Sequence, residues 1–210
     1  FSYIRETVEQ TQPDLILLTG DNIHGEFDDN GECLTALIEC MEALQIPWAP
    51  INGNHDNESI KGVQWQSEQY ANAKYCLFNR RHVIGGNGNY SIGLAKNGEL
   101  ERVVYMLDSN YCGAKESTSY ELHEDYGRTD IIHSRNEFLE GQMEWYRVSQ
   151  LRVNQVAKNV IPSFCCFHVP DAEVAKGLVW SGYQTVETDD TKYIIGEDGV
   201  IQQPGDSGYK

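Results

Sequence analysis

Polar residues follow apolar stretches of strand length at four places in this sequence, at Asp21, Asn54, Asp108 and His168. Open α/β sheets hold their ligands at the carboxyl ends of their strands, and the order predicts that position for all four. Carboxylate, amide and imidazole groups supply the oxygen and nitrogen atoms that zinc, manganese and iron bind. Any one residue could equally end its strand in a turn, which Asp and Asn favour. As a set, they predict a metal site at one edge of a sheet.

The tetrapeptide Gly53-Asn54-His55-Asp56 is the most specific motif in the chain. A fixed tetrapeptide, at about 5% for each position, arises by chance in roughly one chain in several hundred of this length. It also follows a predicted strand, as a motif at the ligand-binding edge of a sheet must. It therefore carries most of the weight in locating a functional site.

The elements that must position these residues alternate between helices and strands. Continuous apolar runs predict buried strands, and apolar residues at helical spacing predict helices. Asn97-Gly98 between two apolar runs predicts a hairpin, so the sheets are expected to be mixed rather than parallel. The polar stretch 109–140 is longer than ordinary connections and is predicted to overhang the site. The predicted strands lie at 14–19, 46–52, 90–94, 102–107 and 160–167, and the helices lie at the start of the chain and at about 31–44 and 141–158.

The balance of charge limits the classes of partner. The chain has 16 Lys plus Arg against 32 Asp plus Glu, a formal charge of −16, which repels nucleic-acid backbones. Small phosphorylated substrates remain compatible with this charge, because bound metal ions can reverse the local field. No apolar run reaches the roughly 18 residues that a membrane span needs. We therefore expect a small phosphorylated substrate, and neither a nucleic-acid duplex nor a membrane as partner.

The six cysteines do not form the pattern of a disulfide framework. Cys33 and Cys40 lie on one predicted helix at a separation of about 10 Å, beyond disulfide reach. Cys165 and Cys166 are adjacent on a predicted strand and face opposite ways. No Cys-x-x-Cys pair indicates a zinc knuckle. We expect buried free thiols, which favour a reducing compartment such as the cytoplasm.

The ordered motifs resemble the calcineurin-like metallophosphoesterase superfamily, whose sequence blocks run D-x-H, G-D, G-N-H-D or E, H, and G-H-x-H. Gly20-Asp21-Asn22, Gly53-Asn54-His55-Asp56 and His168-Val169-Pro170 match the middle three blocks in order and spacing. Met106-Leu107-Asp108-Ser109 and 142–146 resemble the branch of purple-acid-phosphatase-like proteins of plant and yeast type. The resemblance implies an α/β fold, a mixed β-sheet sandwich flanked by helices.

The resemblance also implies roles for the matching residues. Asp21 would bridge two divalent or trivalent metal ions, of manganese, zinc or iron, and Asn54 and His168 would bind the second of them. His55 would contact the phosphate and give a proton to the leaving group. Asp56 would hold the ring of His55, and a carboxylate there would favour the imidazolium form.

Hydrolysis of phosphate esters gives these roles a physical reason. The reaction needs charge neutralisation on the transferring group, a nucleophile at neutral pH and a proton for the leaving oxygen. Two metal ions about 3.5 to 4 Å apart supply the first two needs, and a carboxylate can bridge them through its two oxygens. A protonated histidine supplies the third.

Two of the family's blocks, the opening D-x-H and the closing G-H-x-H, have no match in these 210 residues. The expectation is a single calcineurin-like domain over 1–210 that lacks its first strand and its C-terminal strands, incomplete at both termini. As given, the chain is then expected to bind metal poorly and to be weakly active or inactive. The remaining histidines are expected at the surface, although His24 follows Asp21 closely enough to face a phosphate: His24, His82, His123 and His133.

Two functions are consistent with these observations. The first is a metal-dependent hydrolase of phosphomonoesters or phosphodiesters, with a two-metal site and a histidine acid. The second is a non-catalytic binding or scaffold domain that keeps the phosphoesterase fold. Gln142 and Trp145, three positions apart on one predicted helix, are interpreted as packing residues rather than substrate contacts.

Overall fold

The computed structural model describes residues 1–27, 30–79, 86–109, 140–168, 184–188, 191–195 and 201–202. The chain separates into two compact units, Phe1–His168 and Val169–Lys210. The predicted loop over 109–140 lies almost entirely outside the described residues, as do His82, His123 and His133. Each unit is considered separately.

Helices and strands alternate through the first unit, as the sequence predicts. The helices are α1 (Ser2–Thr11), α2 (Glu32–Leu44), α3 (Gly62–Asn72) and α4 (Glu140–Ala157), and short 3₁₀ turns occur at Gly25–Phe27 and Asp56–Glu58. The strands are β1 (Ile16–Thr19), β2 (Trp48–Ile51), β3 (Tyr90–Lys96), β4 (Glu99–Met106) and β5 (Ser163–Cys166).

Among the described residues of the first unit, the strands form two sheets, and one of these is mixed. β1 and β2 are parallel, with Thr19 opposite Ile51, so the segments after both strands leave the same edge. β3 pairs antiparallel with β4, and β4 pairs parallel with β5. Asn97 and Gly98 turn the β3–β4 hairpin with φ values of 54° and 84°, as the Asn-Gly sequence predicts. The predicted α/β class with mixed sheets and helices is confirmed.

The hydrophobic core divides between the two faces of β4. Val104 and Met106 pack into a cluster with residues of α2, β2 and α3. Val103 and Tyr105 point the other way, into a cluster that includes Trp145 of α4, because successive side chains of a strand alternate between faces. Tyr105 contacts the ring of Trp145 edge to face at 5.8 Å. The packing role predicted for Trp145 is therefore confirmed.

Three local predictions differ from the structure. The helix α3 was not predicted, because its apolar residues are few and keep no clear helical spacing. β5 was expected to be buried, but it lies at the edge of its sheet within the described residues, and Phe164 is 56% exposed. The five described cysteines are free as predicted, but Cys33 and Cys165 are exposed rather than buried.

The second unit contains three short strands in its described part. β6 (Gln184–Thr188) pairs antiparallel with β7 (Thr191–Ile195), which pairs antiparallel with β8 (Ile201–Gln202). Across the described residues of the whole chain, none of the helices has the length and apolar character that a membrane crossing requires.

Candidate active site

Three of the predicted metal ligands meet beside the carboxyl ends of β1 and β2. Nε2 of His168 lies 3.0 Å from Oδ1 of Asn54 and 3.2 Å from Oδ2 of Asp21. Nδ1 of the same ring donates to the carbonyl oxygen of Thr19, at 3.0 Å. A ring nitrogen that donates to a backbone carbonyl fixes the orientation of a metal-binding histidine and leaves its other nitrogen to bind. His168 has this arrangement.

The donor set of this cluster fits a metal ion. Ligand atoms at about 2.0 to 2.2 Å from a tetrahedral zinc ion lie about 3.3 to 3.6 Å from one another. The oxygens of Asn54 and Asp21, at 3.0 and 3.2 Å from the His168 nitrogen, lie within about 0.3 Å of that range. If His168 is neutral, three acceptor atoms converge there, and they require either a cation or a ring proton between them. An O,O,N set of this kind suits zinc, manganese and iron.

Asp21 is held in place through its other carboxylate oxygen. Oδ1 accepts the backbone N–H of His55 at 3.0 Å. The backbone of Asp21 has φ of 50°, in the left-handed region that Asp occupies more readily than most residues. Burial raises the pKa of Asp21, but the hydrogen bonds from His168 and from the His55 backbone outweigh it and lower the pKa below its ordinary value. Asp21 is therefore ionised and ready to bind a cation.

The same contact shifts the pKa of His168 in the opposite direction. Burial alone would lower its pKa, but the hydrogen bond and charge of Asp21 raise the pKa above its ordinary value. The carboxylate of Asp21 thus stabilises a positive charge at this point of the molecule.

Gly53 has its place in the tetrapeptide because there is no room for a side chain. A Cβ atom at this position would collide with the Oδ1 and backbone nitrogen of Asp21 and would lie 2.9 Å from Cδ2 of His168. Real Cβ atoms do not approach backbone atoms so closely. Gly53 therefore allows the β1 and β2 loops to close on each other, which brings Asn54 to Asp21.

His55 lies next to this cluster and has two side-chain neighbours of its own. Its Nδ1 is 2.6 Å from Oε2 of Glu58. Its ring stacks on that of His24, with centroids 4.1 Å apart and planes inclined by 21°. His24, His55 and Glu58 each offer a ligand atom, and these atoms all lie within 4.8 Å of one another.

Comparison with known proteins agrees with this geometry. A family model described as calcineurin-like phosphoesterase matches residues 1–188. The chain belongs to that family. "Probable inactive purple acid phosphatase 28" of Arabidopsis thaliana is 45% identical over 190 residues, which cover 82% of this chain and 45% of that protein. "Probable inactive purple acid phosphatase 14" of the same plant is 35% identical over 184 residues, covering 83% and 45%.

A yeast protein extends the comparison. "Phosphatase DCR2" of Saccharomyces cerevisiae is 29% identical over 136 residues, which cover 60% of this chain and 23% of that protein. The predicted resemblance to the purple-acid-phosphatase-like branch is confirmed by these relatives. The chain spans less than half the length of each of them, and no solved structure matches it.

In this phosphoesterase-family chain, the carboxylate of Asp56 has partners other than the His55 ring that it was expected to hold. The carboxylate of Asp56 is fully buried and accepts three backbone N–H groups, from Gly53 at 2.6 Å, Ile23 at 3.1 Å and Asn22 at 3.3 Å. Burial raises the pKa of Asp56 to about 7, against the effect of these N–H groups. Asp56 thus joins the two loops beneath the site, while Glu58 contacts the His55 ring.

Sequence reasoning missed Glu58 as a site residue. It lies three positions after His55, on a 3₁₀ turn, and residues i and i+3 of such a turn lie on the same side. The signal that could have identified Glu58 is a carboxylate three positions after the candidate acid His55, with a turn predicted between the two residues.

Asp108, the fourth polar residue at a strand end, belongs to a buried network. Oδ2 of Asp108 accepts the backbone N–H of Asn87 at 2.6 Å. Nε2 of Gln142 is 2.7 Å both from the carbonyl oxygen of Asp108 and from Oδ1 of Asn89. Gln142 is fully buried, so its predicted packing role is confirmed. This network ties α4 to the carboxyl end of β4.

Proposed function

We propose that this chain carries the metal-binding part of a hydrolase that cleaves small phosphate esters, either monoesters or diesters. The observation that supports it best is the convergence of Asp21, Asn54 and His168 on one point beside a histidine that can donate a proton. Membership of the calcineurin-like phosphoesterase family supports the same reaction class.

In the proposed site, Asp21, Asn54 and His168 would hold one of two ions of manganese, zinc or iron, and Asp21 would also bind the other. When bound, such ions neutralise charge on the phosphate and lower the pKa of a bound water. The Thr19 carbonyl positions His168 and the His55 N–H positions Asp21 in advance, so binding an ion requires little rearrangement of these two side chains.

His55 is proposed to protonate the leaving oxygen, with Glu58 as its positioning residue. Glu58 accepts Nδ1–H and fixes the orientation of the ring, so that Nε2 faces away from Glu58. In the imidazolium form Nε2 also carries a proton, and this is the proton given to the leaving oxygen. A positioned acid of this kind contributes about 10²- to 10⁴-fold to a rate. Asp56 takes part only by holding together the loops that carry Asp21 and His55.

The alternative is a domain that binds phosphate esters without turnover. One observation favours it: the relatives of A. thaliana are named as probable inactive purple acid phosphatases. Binding without hydrolysis would then use the same Asp21 cluster.

The test is hydrolysis of a chromogenic aryl phosphate, as monoester and as diester, with manganese, zinc or iron added singly. Because the chain spans less than half the length of its relatives, the assay uses the longest product of its gene as well as these 210 residues. Asp21→Ala should abolish hydrolysis. Asp14→Ala is the matched control and should leave hydrolysis unchanged. Asp14 is an exposed carboxylate that precedes β1, whereas Asp21 follows β1.

The outcomes separate the two functions. Metal-dependent hydrolysis above the Asp21→Ala level supports the hydrolase. If no metal gives hydrolysis above that level, and the protein still binds an aryl phosphate in a way that Asp21→Ala removes, the hydrolase is refuted and the binding domain is supported.

A further inference from the structure

We propose that His24, His55 and Glu58 form a separate zinc site, and that zinc bound there inhibits the enzyme by taking His55 out of its role as proton donor. The site itself depends only on the geometry of these three residues. The inhibition also rests on the proposed function of His55.

The three side chains stand within reach of one ion. Their ligand atoms all lie within 4.8 Å of one another, and Nδ1 of His55 is already 2.6 Å from Oε2 of Glu58. Ligand atoms around zinc are about 3.3 Å apart. Zinc would therefore need the His55–Glu58 pair to open by less than about 1 Å and His24 to move inward by up to about 1.5 Å. The His24 ring, now stacked on that of His55, would also turn so that a nitrogen lone pair in its plane faces the ion. His24 is exposed and the other two are half-buried, so their side chains have space to move.

The backbone brings these residues together independently of their side chains. The N–H of Gly25 donates to the carbonyl oxygen of His55 at 3.0 Å, which joins the loop after β1 to the loop after β2. A Cβ atom at Gly25 would collide with that oxygen and with the backbone nitrogen of Ser59. His24 and His55 are therefore fixed as neighbours by main-chain contacts, and Glu58 follows three residues later on its turn.

The chemistry of the donors favours zinc over magnesium and calcium. Two imidazoles and one carboxylate hold Zn²⁺ in other proteins, with a water molecule in the fourth position. Magnesium and calcium prefer oxygen ligands and would leave two of these three positions unused. The formal charge of the chain, −16, further favours a cation at this surface.

Zinc at this site would oppose proton donation by His55. A histidine binds a metal ion as the neutral imidazole, so zinc takes the place of one ring proton, which is released to water. The N–H that remains belongs to a neutral ring, a much weaker acid than imidazolium. Glu58, which otherwise positions the ring, becomes a zinc ligand as well. Both changes remove assistance to the leaving group.

Zinc binding is measured by calorimetry on the full chain in an Asp21→Ala background, which removes the Asp21 centre from the titration. We expect one zinc ion to bind, and the dissociation constant to rise at least tenfold on adding His24→Ala or Glu58→Gln. Phe27→Ala is the matched control, because the Phe27 ring lies 4.7 Å from that of His24 and carries no ligand atom. It should leave the affinity unchanged.

Imidazole NMR spectra provide a second measurement that does not depend on activity. Zinc should shift the ring resonances of His24 and His55 together in the Asp21→Ala protein. It should leave the His55 resonances unshifted when His24→Ala is added to that protein. Equal zinc affinity in the Asp21→Ala protein with and without His24→Ala, or zinc-induced shifts confined to His168, would overturn the site.

The inhibition has its own assay, so that its failure is distinct from failure of the site. Hydrolysis is first brought to its maximum with manganese, and zinc is then added. Zinc should inhibit the parent and Phe27→Ala equally, and His24→Ala at least tenfold less strongly, each relative to its own maximum. If no hydrolysis is found, calorimetry and NMR still decide the site, and only the inhibitory role falls with the proposed function.

Discussion

The buried carboxylate of Asp56 provides the sharpest test of how the site is built. Asp56 accepts the backbone N–H groups of Asn22 and Ile23 after β1, and that of Gly53 after β2. We predict that Asp56→Ala destabilises the fold strongly, because it removes the acceptor that joins the two loops. Glu58→Ala should leave stability nearly unchanged, although Glu58 contacts the His55 ring.

The size of the effect follows from the burial of the three donors. The contacts to Ile23 and Gly53 are buried and the contact to Asn22 is half-buried. Losing the partner of a buried N–H costs about 1 to 3 kcal/mol. Two such losses and a smaller third give about 4 kcal/mol, a large part of the 5 to 15 kcal/mol that is usual for the free energy of unfolding of a domain.

The assay is urea unfolding, followed by tryptophan fluorescence, for the parent, Asp56→Ala and Glu58→Ala. Trp48 is fully buried against Tyr70, so its emission reports loss of the core. With a slope near 2.5 kcal/mol per M, a loss of about 4 kcal/mol lowers the urea midpoint by about 1.6 M. Glu58→Ala should lower it by less than about 0.4 M, because a half-exposed ion pair contributes at most about 1 kcal/mol.

Two results would refute this reasoning. One is a loss for Asp56→Ala no larger than that for Glu58→Ala. The other is an Asp56→Ala protein that unfolds like the parent but loses the proton-donor function of His55. That result would mean that Asp56 holds the His55 ring in the parent protein, as the family pattern implies.

Three further predictions concern activity and thiol reactivity. Glu58→Gln should lower kcat by about 10- to 100-fold on an alkyl phosphate and much less on a nitrophenyl phosphate, whose leaving group hardly needs the proton of His55; an equal loss on both substrates would contradict this. Gly53→Ala should weaken metal binding at least tenfold in calorimetry, since its Cβ would displace the carboxylate of Asp21. An affinity equal to that of the parent would show that a Cβ at this position does not displace Asp21. Peptide mapping after alkylation at pH 8 should find the exposed Cys33 modified earlier than Cys76, because burial raises the pKa of Cys76 to about 12 and leaves little thiolate; equal rates at the two residues would contradict that order.

Much of the fold could be predicted because periodicity and turn chemistry act locally. The hairpin at Asn97-Gly98 and the helix α2 follow from a few neighbouring residues, and both occur where they were expected. α3 and the exposure of β5 could not be predicted in this way. Whether an apolar strand such as β5 is covered depends on which elements pack against it, and the strand itself does not encode that.

The ligands of the candidate site were predictable for a similar reason. A parallel pair of strands brings the residues after both strands to one edge, so Asp21 and Asn54 had to be neighbours once β1 and β2 paired. His168 joins them from a strand of a different sheet, and the sequence indicated this only through the order of the family's motifs.

The sequence by itself determined the family, the alternation of helices and strands, and which residues are candidates for binding metal. The tertiary structure decided which carboxylate contacts the His55 ring and which accepts the backbone N–H groups of the loops. Asp56 and Glu58 are two positions apart and chemically alike, and nothing local separates them. The packing of the β1 loop places three N–H groups around Asp56, and the short 3₁₀ turn carries Glu58 to the His55 ring. Hydrogen-bond partners 33 and 34 positions apart along the chain are set by the fold, not by the motif.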